Sequence, residues 1–416
     1  MRRGFSVAVC GFLLLAGCQT QAPKEQSLPT HNSIDNLVTY QFVSAKAGWA
    51  HVFAGGDVIA KTEDGGRTWR QQLRVDGLKR TPTMQWIDAR HGVLIGEMGD
   101  RALLFRSDDA GTTWRSLAIP QPQVPPPTPR GKWVSVTGHF VDPSHGWAFF
   151  RNEPCALVVA FGCPLGLGYS WLPYQTSDGG LHWTELGMLP ALPQRDFSIT
   201  FAGLSAALVT TRQDQQGIVS TQNGFATSSL AEVPSADLGC PRWGCRLVTK
   251  TAALFSANDG VMVLSVLELN AWTSGGACAA KWCTVARSEF RTYDGGRTWI
   301  RGTDLPTGFN LVLFTDLNHA INIDPRFVQR SEDGGATWST VGSISVPEAW
   351  LISDAQFVDS KHGWVAITTD ADKAALNDPI SPASYSVLGT SDGGRTWQVL
   401  RLPTLDPGSN APPGAY

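Results

Sequence analysis

Charge is scarce in this chain. Its 416 residues include 33 Lys and Arg against 36 Asp and Glu, and the charged fraction is 17%, below the ~25% usual for globular domains. A domain that binds phosphates should be basic, with its Lys and Arg clustered, and neither condition holds here. We therefore do not expect nucleic acid as a partner.

Long apolar runs and metal-binding patterns are also missing. The apolar run near the N-terminus, residues 5–16, is too short to span a bilayer, and it follows the basic pair Arg2 and Arg3. No Cys-x-x-Cys motif or His pair accompanies the cysteines. The sequence therefore predicts a secreted chain without a metal or a cofactor.

The apolar run ends in Leu15-Ala16-Gly17-Cys18, which resembles a bacterial lipobox. Cleavage would remove residues 1–17 as a signal peptide and leave a lipid on Cys18; the alternative is an ordinary secretory signal with an incidental cysteine. Residues 18–36 are polar and would form a flexible, lipidated tether. Gln19, rather than an aspartate, follows the cysteine, so we expect an envelope lipoprotein, in the outer membrane if the cell is Gram-negative.

What the chain has in abundance is one eight-residue segment, here called the Asp turn. Its form at 331–338 is Ser-Glu-Asp-Gly-Gly-Ala-Thr-Trp. An Asp oxygen can accept bonds from N–H groups ahead of it, and the Gly pair supplies the positive φ angles of a tight turn. Such repetition favours a structural role over a catalytic one. The six intact copies contain Asp64, Asp109, Asp178, Asp294, Asp333 and Asp392, and a seventh, degenerate copy contains Asn223.

A second motif precedes each Asp turn. It consists of an aromatic residue, an Asp and a His-Gly-Trp ending, and is clearest at 140–147 and 357–364. Together the two motifs predict four short strands per module, and seven modules in tandem predict an all-β chain. The predicted fold is a seven-bladed β-propeller of four-stranded antiparallel blades. Weaker copies of the second motif begin at Phe42, Trp86, Phe201, Phe255 and Phe314.

The paired motifs resemble those of the Asp-box (BNR repeat) β-propeller superfamily. They are most similar to the photosystem II assembly factor-like branch, while sialidases and xyloglucan-cleaving glycoside hydrolases share the box. The resemblance covers residues 37–403 as one domain and leaves 404–416 as a disordered tail. It implies the fold and says little about activity.

Three modules are longer than one blade requires. The extra length falls between the second and third strands, at 151–173, 266–288 and 369–386. In an up-and-down blade these turns lie on the face opposite the Asp turns, together with the connections between blades. We call the two sides of the disc the Asp face and the loop face. The longest connections, 115–138 and 228–252, also belong to the loop face.

Six cysteines of the mature chain fall in loop-face segments. An even number in an exported protein indicates disulfides. Fifteen pairings are possible. We favour the local pairs, and cross-pairing of the 240s loop with the 278–283 loop is the alternative. The three local pairs are Cys155 with Cys163, Cys240 with Cys245 and Cys278 with Cys283.

Binding residues are expected at loop tips, where exposed Trp and Tyr suit a sugar face or a protein hot spot. The alternative is that the rings pack their own loops onto the disc. The candidates are Arg151, Glu153, Tyr169, Trp171, Arg242, Trp243, Trp272 and Trp282.

Two classes of function remain open. A glycoside hydrolase needs two carboxylates across a cleft, which Glu153 with Asp370 or Asp372 would supply. A sialidase needs an arginine cluster and a Tyr nucleophile, yet no Phe-Arg-Ile-Pro-like element precedes the first box and no tyrosine has an obvious Glu partner. We favour a non-catalytic, monomeric platform that binds an envelope protein or a glycan and reaches the membrane only through its lipid.

Overall fold

The computed structural model shows seven four-stranded sheets and one two-stranded hairpin, and all its strand pairs are antiparallel. The predicted seven-bladed β-propeller is confirmed. Across the described parts of the chain, no helix has the length and apolarity needed to cross a bilayer. The structure describes residues 37–53, 55–124, 132–153, 170–190, 197–211, 218–231, 245–269, 272–273, 276–277, 282–306, 311–346, 351–368 and 385–400.

The strands follow one another in chain order around the ring. Blade 1 contains β1 (Leu37–Phe42), β2 (Gly48–Phe53), β3 (Asp57–Thr62) and β4 (Arg70–Val75). Blade 2 contains β5 (Leu78–Trp86), β6 (Gly92–Met98), β7 (Arg101–Ser107) and β8 (Arg115–Ile119). Blade 3 contains β9 (Lys132–Phe140), β10 (Gly146–Glu153), β11 (Trp171–Thr176) and β12 (Thr184–Glu185). Blade 4 contains β13 (Phe197–Ala202), β14 (Ala206–Thr211), β15 (Ile218–Thr221) and β16 (Ser229–Ala231).

Blade 5 carries the extra hairpin between its second and third strands. It contains β17 (Cys245–Leu254), β18 (Gly260–Leu269), the hairpin strands β19 (Trp272–Thr273) and β20 (Gly276–Ala277), β21 (Trp282–Thr292) and β22 (Ile300–Asp304). Blade 6 contains β23 (Leu311–Phe314), β24 (Ala320–Asp324), β25 (Phe327–Ser331) and β26 (Ser339–Gly342). Blade 7 contains β27 (Leu351–Phe357), β28 (Gly363–Thr368), β29 (Tyr385–Thr390) and β30 (Gln398–Leu400).

The first strand of each blade is the innermost, since first strands of successive blades contact one another. An edge strand leaves backbone groups unpaired, and glutamine side chains satisfy some of them. Gln41 Nε2 donates to the Trp86 carbonyl and Gln41 Oε1 accepts from the Trp86 N–H, both at 2.7 Å. Gln85 pairs in the same way with Phe140 of blade 3. The inner edges of neighbouring blades are thereby joined.

The ring closes without exchanging a strand. Blade 7 is built from four consecutive strands, as is blade 1. The contact between them includes a third glutamine pair, in which Gln356 Nε2 donates to the Phe42 carbonyl at 2.7 Å and the Phe42 N–H donates to Gln356 Oε1 at 2.9 Å. Closure therefore depends on side chains rather than on a shared sheet.

Tryptophans at the start of three second strands fill the space between blades. Trp364 stacks on Phe42 with 3.7 Å between ring centroids, and Trp49 stacks on Trp86 at 3.6 Å. Trp147 lies 4.7 Å from Phe201. All three tryptophans are at most 2% exposed. Stacked aromatic pairs such as these bury a large apolar area between the blades.

The structure corrects the boundaries predicted for the long second turns. The first begins after Glu153 and ends before Trp171, because β10 and β11 pair up to Arg151 opposite Trp171. In blade 5 the apolar run of β18 stays paired with β21 as far as Leu269 opposite Trp282. Most of the length predicted as loop at 266–288 is therefore ordered hairpin.

Backbone hydrogen bonds place the first and third turns of every blade on one face. In blade 1 the Gly65 N–H donates to the Lys46 carbonyl at 2.9 Å, and in blade 7 the Gly393 N–H donates to the Lys361 carbonyl at 2.8 Å. The other five blades repeat this bond. The Asp turns therefore share one face, and the second turns and blade connections lie on the other.

Candidate functional site

Each intact Asp turn is a closed hydrogen-bonded unit. Asp333 accepts from the Thr337 N–H at 2.8 Å, the Thr337 hydroxyl at 2.6 Å and the Ser331 hydroxyl at 2.8 Å. The Gly335 N–H donates to Ser331 Oγ, and Trp338 Nε1 donates to the Gly335 carbonyl. The bonds from Thr337 and Ser331 lower the pKa of Asp333 to about 2. A carboxylate whose oxygens are bonded within the turn in this way has a structural role.

The degenerate copy keeps the same geometry without the charge. Asn223 Oδ1 accepts from the Thr227 N–H at 2.9 Å, and Asn223 Nδ2 donates to Thr227 Oγ1 at 2.8 Å. Phe225 follows with φ of 70° and is 1% exposed. Its ring packs edge-on against Phe149 and Phe201, so an aromatic core is retained although the tryptophan of the motif is absent.

Adjacent blades are also bonded on the Asp face, at boundaries that we call seams and number by their blades. At each seam the second-named blade presents two backbone carbonyls. One lies in the first turn of that blade, and the other belongs to the residue directly after the Asp or Asn of its Asp turn. We call these the acceptor pair. At seam 6–7, Arg330 donates to Ser360 at 2.8 Å and to Gly393 at 3.2 Å. One guanidinium therefore bridges both turns of the next blade.

Three more seams use a long side chain in the same way. At seam 2–3, Arg106 donates to the carbonyls of Pro143 and Gly179. At seam 4–5, Gln222 does so to Ala257 and Gly295. At seam 5–6, Arg291 reaches Gly334. The acceptor pair is thus a recurring binding position for a planar N–H donor.

Two seams use an indole instead. Trp147 Nε1 donates to the Gly224 carbonyl at 2.9 Å, and Trp364 Nε1 donates to the Gly65 carbonyl at 3.3 Å. In blades 3 and 7 the cross-strand partners of these tryptophans are Gln175 and Gly389. Gly389 stands at the repeat position that Arg330 holds in blade 6. At seam 7–1 the chain therefore provides no side chain at this position.

A cleft of about 430 Å³ occupies that place on the Asp face. Its walls come from the two turns of blade 1 and from the outer strands of blade 7. The indole of Trp364, stacked on Phe42 by one face, lines the cleft beside Gly389. The blade 1 residues include Ala45, Lys46, Glu63, Gly65 and Arg67, and those of blade 7 include Trp364, Gly389, Thr396 and Gln398.

The acidic groups at the rim are already engaged. Glu63 receives a bond from Lys61 at 2.7 Å, and this bond and the charge of Lys61 lower the pKa of Glu63. Burial raises the pKa of Asp64, but bonds from Thr68, Thr62 and the Arg67 N–H outweigh it, and the pKa falls to about 2. What the cleft offers a ligand is therefore its carbonyls, its indole and its polar side chains.

Several binding candidates chosen from the sequence lie in less exposed places than expected. Arg151 and Trp171 are each 4% exposed, and the guanidinium carbon lies 5.8 Å from the centre of the indole ring. Both belong to paired strands rather than to a loop tip, since β10 and β11 continue further than the sequence indicated. Their proposed binding role stays a prediction.

Most other loop-face candidates lie outside the described residues. For Glu153, Trp272 and Trp282 only the strand position is described. Those outside are Tyr169, Arg242, Trp243, Asp370 and Asp372, together with Cys155, Cys163, Cys240 and Cys278.

The backbone register restricts one pairing among the cysteines. Cys245 of β17 and Cys283 of β21 both lie opposite Glu268 of β18. Two strand spacings separate their Cα atoms, about 10 Å, whereas a disulfide spans no more than about 7 Å. A bond between Cys245 and Cys283 is excluded. The three local pairs stay a prediction, because each includes a cysteine outside the described residues.

One tyrosine has a Glu partner that the sequence analysis missed. The Tyr174 hydroxyl donates to Glu185, its cross-strand neighbour in blade 3. Burial and the Glu185 carboxylate raise the pKa of Tyr174, and the side chain is 3% exposed beside Phe150. A buried phenol with a raised pKa is a poor nucleophile, so the pair is structural. Register across the Asp turn was the signal that could have revealed it.

No protein-family profile and no curated protein matches the chain. Among solved structures, YCF48 from Cyanidioschyzon merolae is similar at 14% identity over 88% of this chain and 97% of that one, with a TM-score of 0.48. An ulvan lyase is similar at 12% identity over 89% and 100%, with a TM-score of 0.50. An α-L-arabinanase from Penicillium chrysogenum is similar at 11% identity over 85% and 98%, with a TM-score of 0.39. At such identities the likeness concerns the propeller fold alone.

Proposed function

We propose that the protein is an exported, lipid-anchored platform whose propeller binds an envelope protein or a glycan through its loop face, without catalysis. The observation that carries the proposal is the difference between the two faces. In all seven blades the first and third turns are short and bonded to each other, whereas the second turns and connections vary greatly in length. Variable loops on a rigid scaffold are where proteins place binding sites.

The direction of the terminal strands supports a membrane-facing loop side. β1 runs toward the Asp face and β30 runs away from it, so Leu37 and Leu400 both lie at the loop face. A tether of residues 19–36 would hold the lipid on Cys18 roughly 20–25 Å from Leu37 on average. The loop face would then meet partners at the membrane surface, and the Asp face would point away.

The anchor is tested by following lipid on the cysteine. Cells expressing the full chain and grown with labelled palmitate should label the wild-type protein and leave Cys18→Ser unlabelled. The variant should also move from the membrane fraction to the soluble fraction. Label that persists in Cys18→Ser would contradict the proposed anchor.

Binding and catalysis are separated by one paired assay. The mature protein in detergent is applied to a glycan array and, in parallel, incubated with the same glycans while products are quantified. Binding without product, lost in Trp243→Ala or Trp272→Ala, supports the platform. Leu181→Ala is the matched control because this side chain is 54% exposed on the Asp face.

Product formation would instead support the alternative, a glycoside hydrolase. In that case Glu153→Gln and Asp370→Asn should each abolish turnover while the array signal persists. With neither binding nor product, the partner should be a protein, and cross-linking from residues of the loop face in intact envelopes should then capture it. Cross-links that form only from the Asp face would contradict the proposed orientation.

A further inference from the structure

Seam 7–1 reproduces the surroundings of Arg330 without containing an arginine. At seam 6–7 the guanidinium of Arg330 bridges the carbonyls of Ser360 and Gly393. The corresponding carbonyls at seam 7–1 belong to Ala45 and Gly65, and both residues line the cleft. Blade 7 reaches this acceptor pair with the Trp364 indole, which donates to Gly65, and provides no guanidinium here.

The two acceptor pairs match in geometry as well as in their positions in the repeat. A β-carbon added to Gly393 would lie 2.9 Å from the Ser360 carbonyl oxygen, and one added to Gly65 would lie 2.9 Å from that of Ala45. The two pairs of turns therefore have the same spacing. Gly65 accepts a long bond from Trp364, but a carbonyl oxygen has two lone pairs and can accept a second.

Charges near the two positions also match. Lys361 and Arg395 belong to the two turns of blade 7. Burial lowers the pKa of Arg330, the charge of Arg395 lowers it further, and the charge of Glu332 opposes this. Lys46 and Arg67 occupy the same repeat positions in blade 1. The guanidinium at seam 6–7 is thus accommodated near the cation Arg395 with the anion Glu332 close by. Seam 7–1 has the cations Lys46 and Arg67 and the anion Glu63 at its rim.

The cleft wall also suits a cation. In blade 1, Lys61 is the cross-strand partner of Trp49, and its Nζ lies 5.7 Å from the centre of that ring. Gly389 holds this position beside Trp364. A cation over an indole face is favourable, and the volume of about 430 Å³ falls in the range of small-ligand pockets.

We propose that the cleft at seam 7–1 binds an arginine side chain of a partner polypeptide, which takes the place that Arg330 occupies at seam 6–7. Arginine fits better than lysine, because a planar guanidinium donates to two carbonyls at once. Residues 402–416 contain no Lys or Arg, so that segment does not supply the side chain. The site lies on the Asp face and is independent of the loop-face function proposed above.

The first test uses wild-type protein and three blocked tripeptides, acetyl-Gly-X-Gly-amide with X as arginine, lysine or norleucine. The mature chain in detergent is labelled with nitrogen-15 at its tryptophan indoles, and the Trp364 signal is identified by its loss in Trp364→Phe. The arginine peptide should shift this signal saturably. The lysine peptide should bind at least threefold more weakly, and the norleucine peptide should cause no shift. Equal responses to arginine and norleucine would overturn the proposal.

The second test fills the cleft from within. Gly389→Gln copies Gln175, which lies opposite Trp147 at seam 3–4, and should weaken binding of the arginine peptide at least tenfold. Gly389→Ala is the matched control: its β-carbon would lie 3.3 Å from Leu400 Cδ1 without reaching the acceptor pair, so binding should be retained. Undiminished binding by folded Gly389→Gln would also overturn the proposal. If that variant fails to fold, the arginine and norleucine comparison decides.

Discussion

Seams 6–7 and 3–4 bond the same carbonyl with different side chains. At seam 6–7 the donor is Arg330 on the third strand, and its cross-strand partner on the second strand is Ile321. At seam 3–4 the donor is Trp147 on the second strand, and its partner on the third is Gln175. Each of these two seams therefore has a donor to the next Asp turn, and a cross-strand pair decides which strand supplies it.

Seams 2–3, 5–6 and 7–1 follow the same rule. Arg106 and Arg291 have Val93 and Val261 as partners, so a small aliphatic residue accompanies each arginine. Trp364 has Gly389. An indole and a guanidinium would compete for the same space, and the close packing of protein interiors admits only one of them. Seam 7–1 is distinctive because its partner residue has no side chain.

The largest predicted effect comes from removing the donor of an indole-closed seam. Trp364→Leu loses the stack on Phe42 and the bond to Gly65 from a side chain that is 2% exposed. We expect a loss of about 3 kcal/mol in the free energy of unfolding, measured by urea denaturation. Leu181→Ala should change it by less than about 0.5 kcal/mol, and equal effects of the two would refute this account of closure.

The second prediction concerns pH and seam 3–4. His139 holds the position that Gln41, Gln85 and Gln356 hold elsewhere, and it stacks on Phe201 at 4.7 Å. Burial lowers its pKa to about 4, whereas an unfolded histidine titrates near ~6.5. Between these values the unfolded chain binds the extra proton, so stability should fall as pH falls, by up to about 3 kcal/mol in total.

His139→Gln should remove most of that loss and provide the glutamine pair found at seams 1–2, 2–3 and 7–1. Unfolding free energies of the two proteins, measured from pH 7 to pH 4, should converge with rising pH and separate with falling pH. A parallel dependence in both proteins would assign the acid sensitivity to another group.

The third prediction breaks a guanidinium-closed seam. Arg330→Met keeps the aliphatic length but leaves the carbonyls of Ser360 and Gly393 without this donor, at a cost of about 1–2 kcal/mol. The double variant Ile321→Trp with Arg330→Gln copies Trp147 and Gln175 and should recover at least half of the loss. Failure of this rescue, with Arg330→Met destabilised as expected, would show that the two pairs are not interchangeable.

The smallest effect concerns the Asp turns that carry the acceptors. Asp294→Ala removes bonds to the Thr298 N–H and hydroxyl and should cost about 1 kcal/mol. Asp294→Asn should cost less than half as much, because Asn223 already makes the equivalent bonds to Thr227. Thermal unfolding of both variants distinguishes the cases. A larger loss for Asn than for Ala would mean that the charge itself stabilises the turn.

The sequence was sufficient for the fold because repetition carries the information. Seven pairs of turn motifs specify seven blades. Blade 4 was still recognised although the copy of the Asp turn that contains Asn223 lacks the tryptophan. Loop lengths were predicted less well. The pairing of β18 with β21 to Leu269 continues where spacing alone suggested a loop, since strand ends depend on tertiary contacts as well as on pattern.

The cleft could not be predicted from spacing or composition. Gly389 is one of 43 glycines, and its importance depends on Arg330, which lies 59 residues earlier at the same repeat position. Trp171 and Arg151 looked like loop residues, yet pairing of β10 with β11 buries them. Tyr174 meets Glu185 only because the Asp turn sets their register. In each case the role of the residue depends on its cross-strand neighbour.

Closure by side chains has a consequence for how the ring comes apart. At six seams a stretch of chain links the two blades, so blades that separate stay at a high effective concentration and rejoin readily. At seam 7–1 the closing pair Gln356 and Phe42 is 314 residues apart, and forming that loop costs about 1.5 kcal/mol more than the 55-residue loop between Gln85 and Phe140. Opening of the ring should therefore begin at seam 7–1. A polypeptide bound in its cleft would contact blades 1 and 7 together and stabilise the closed ring.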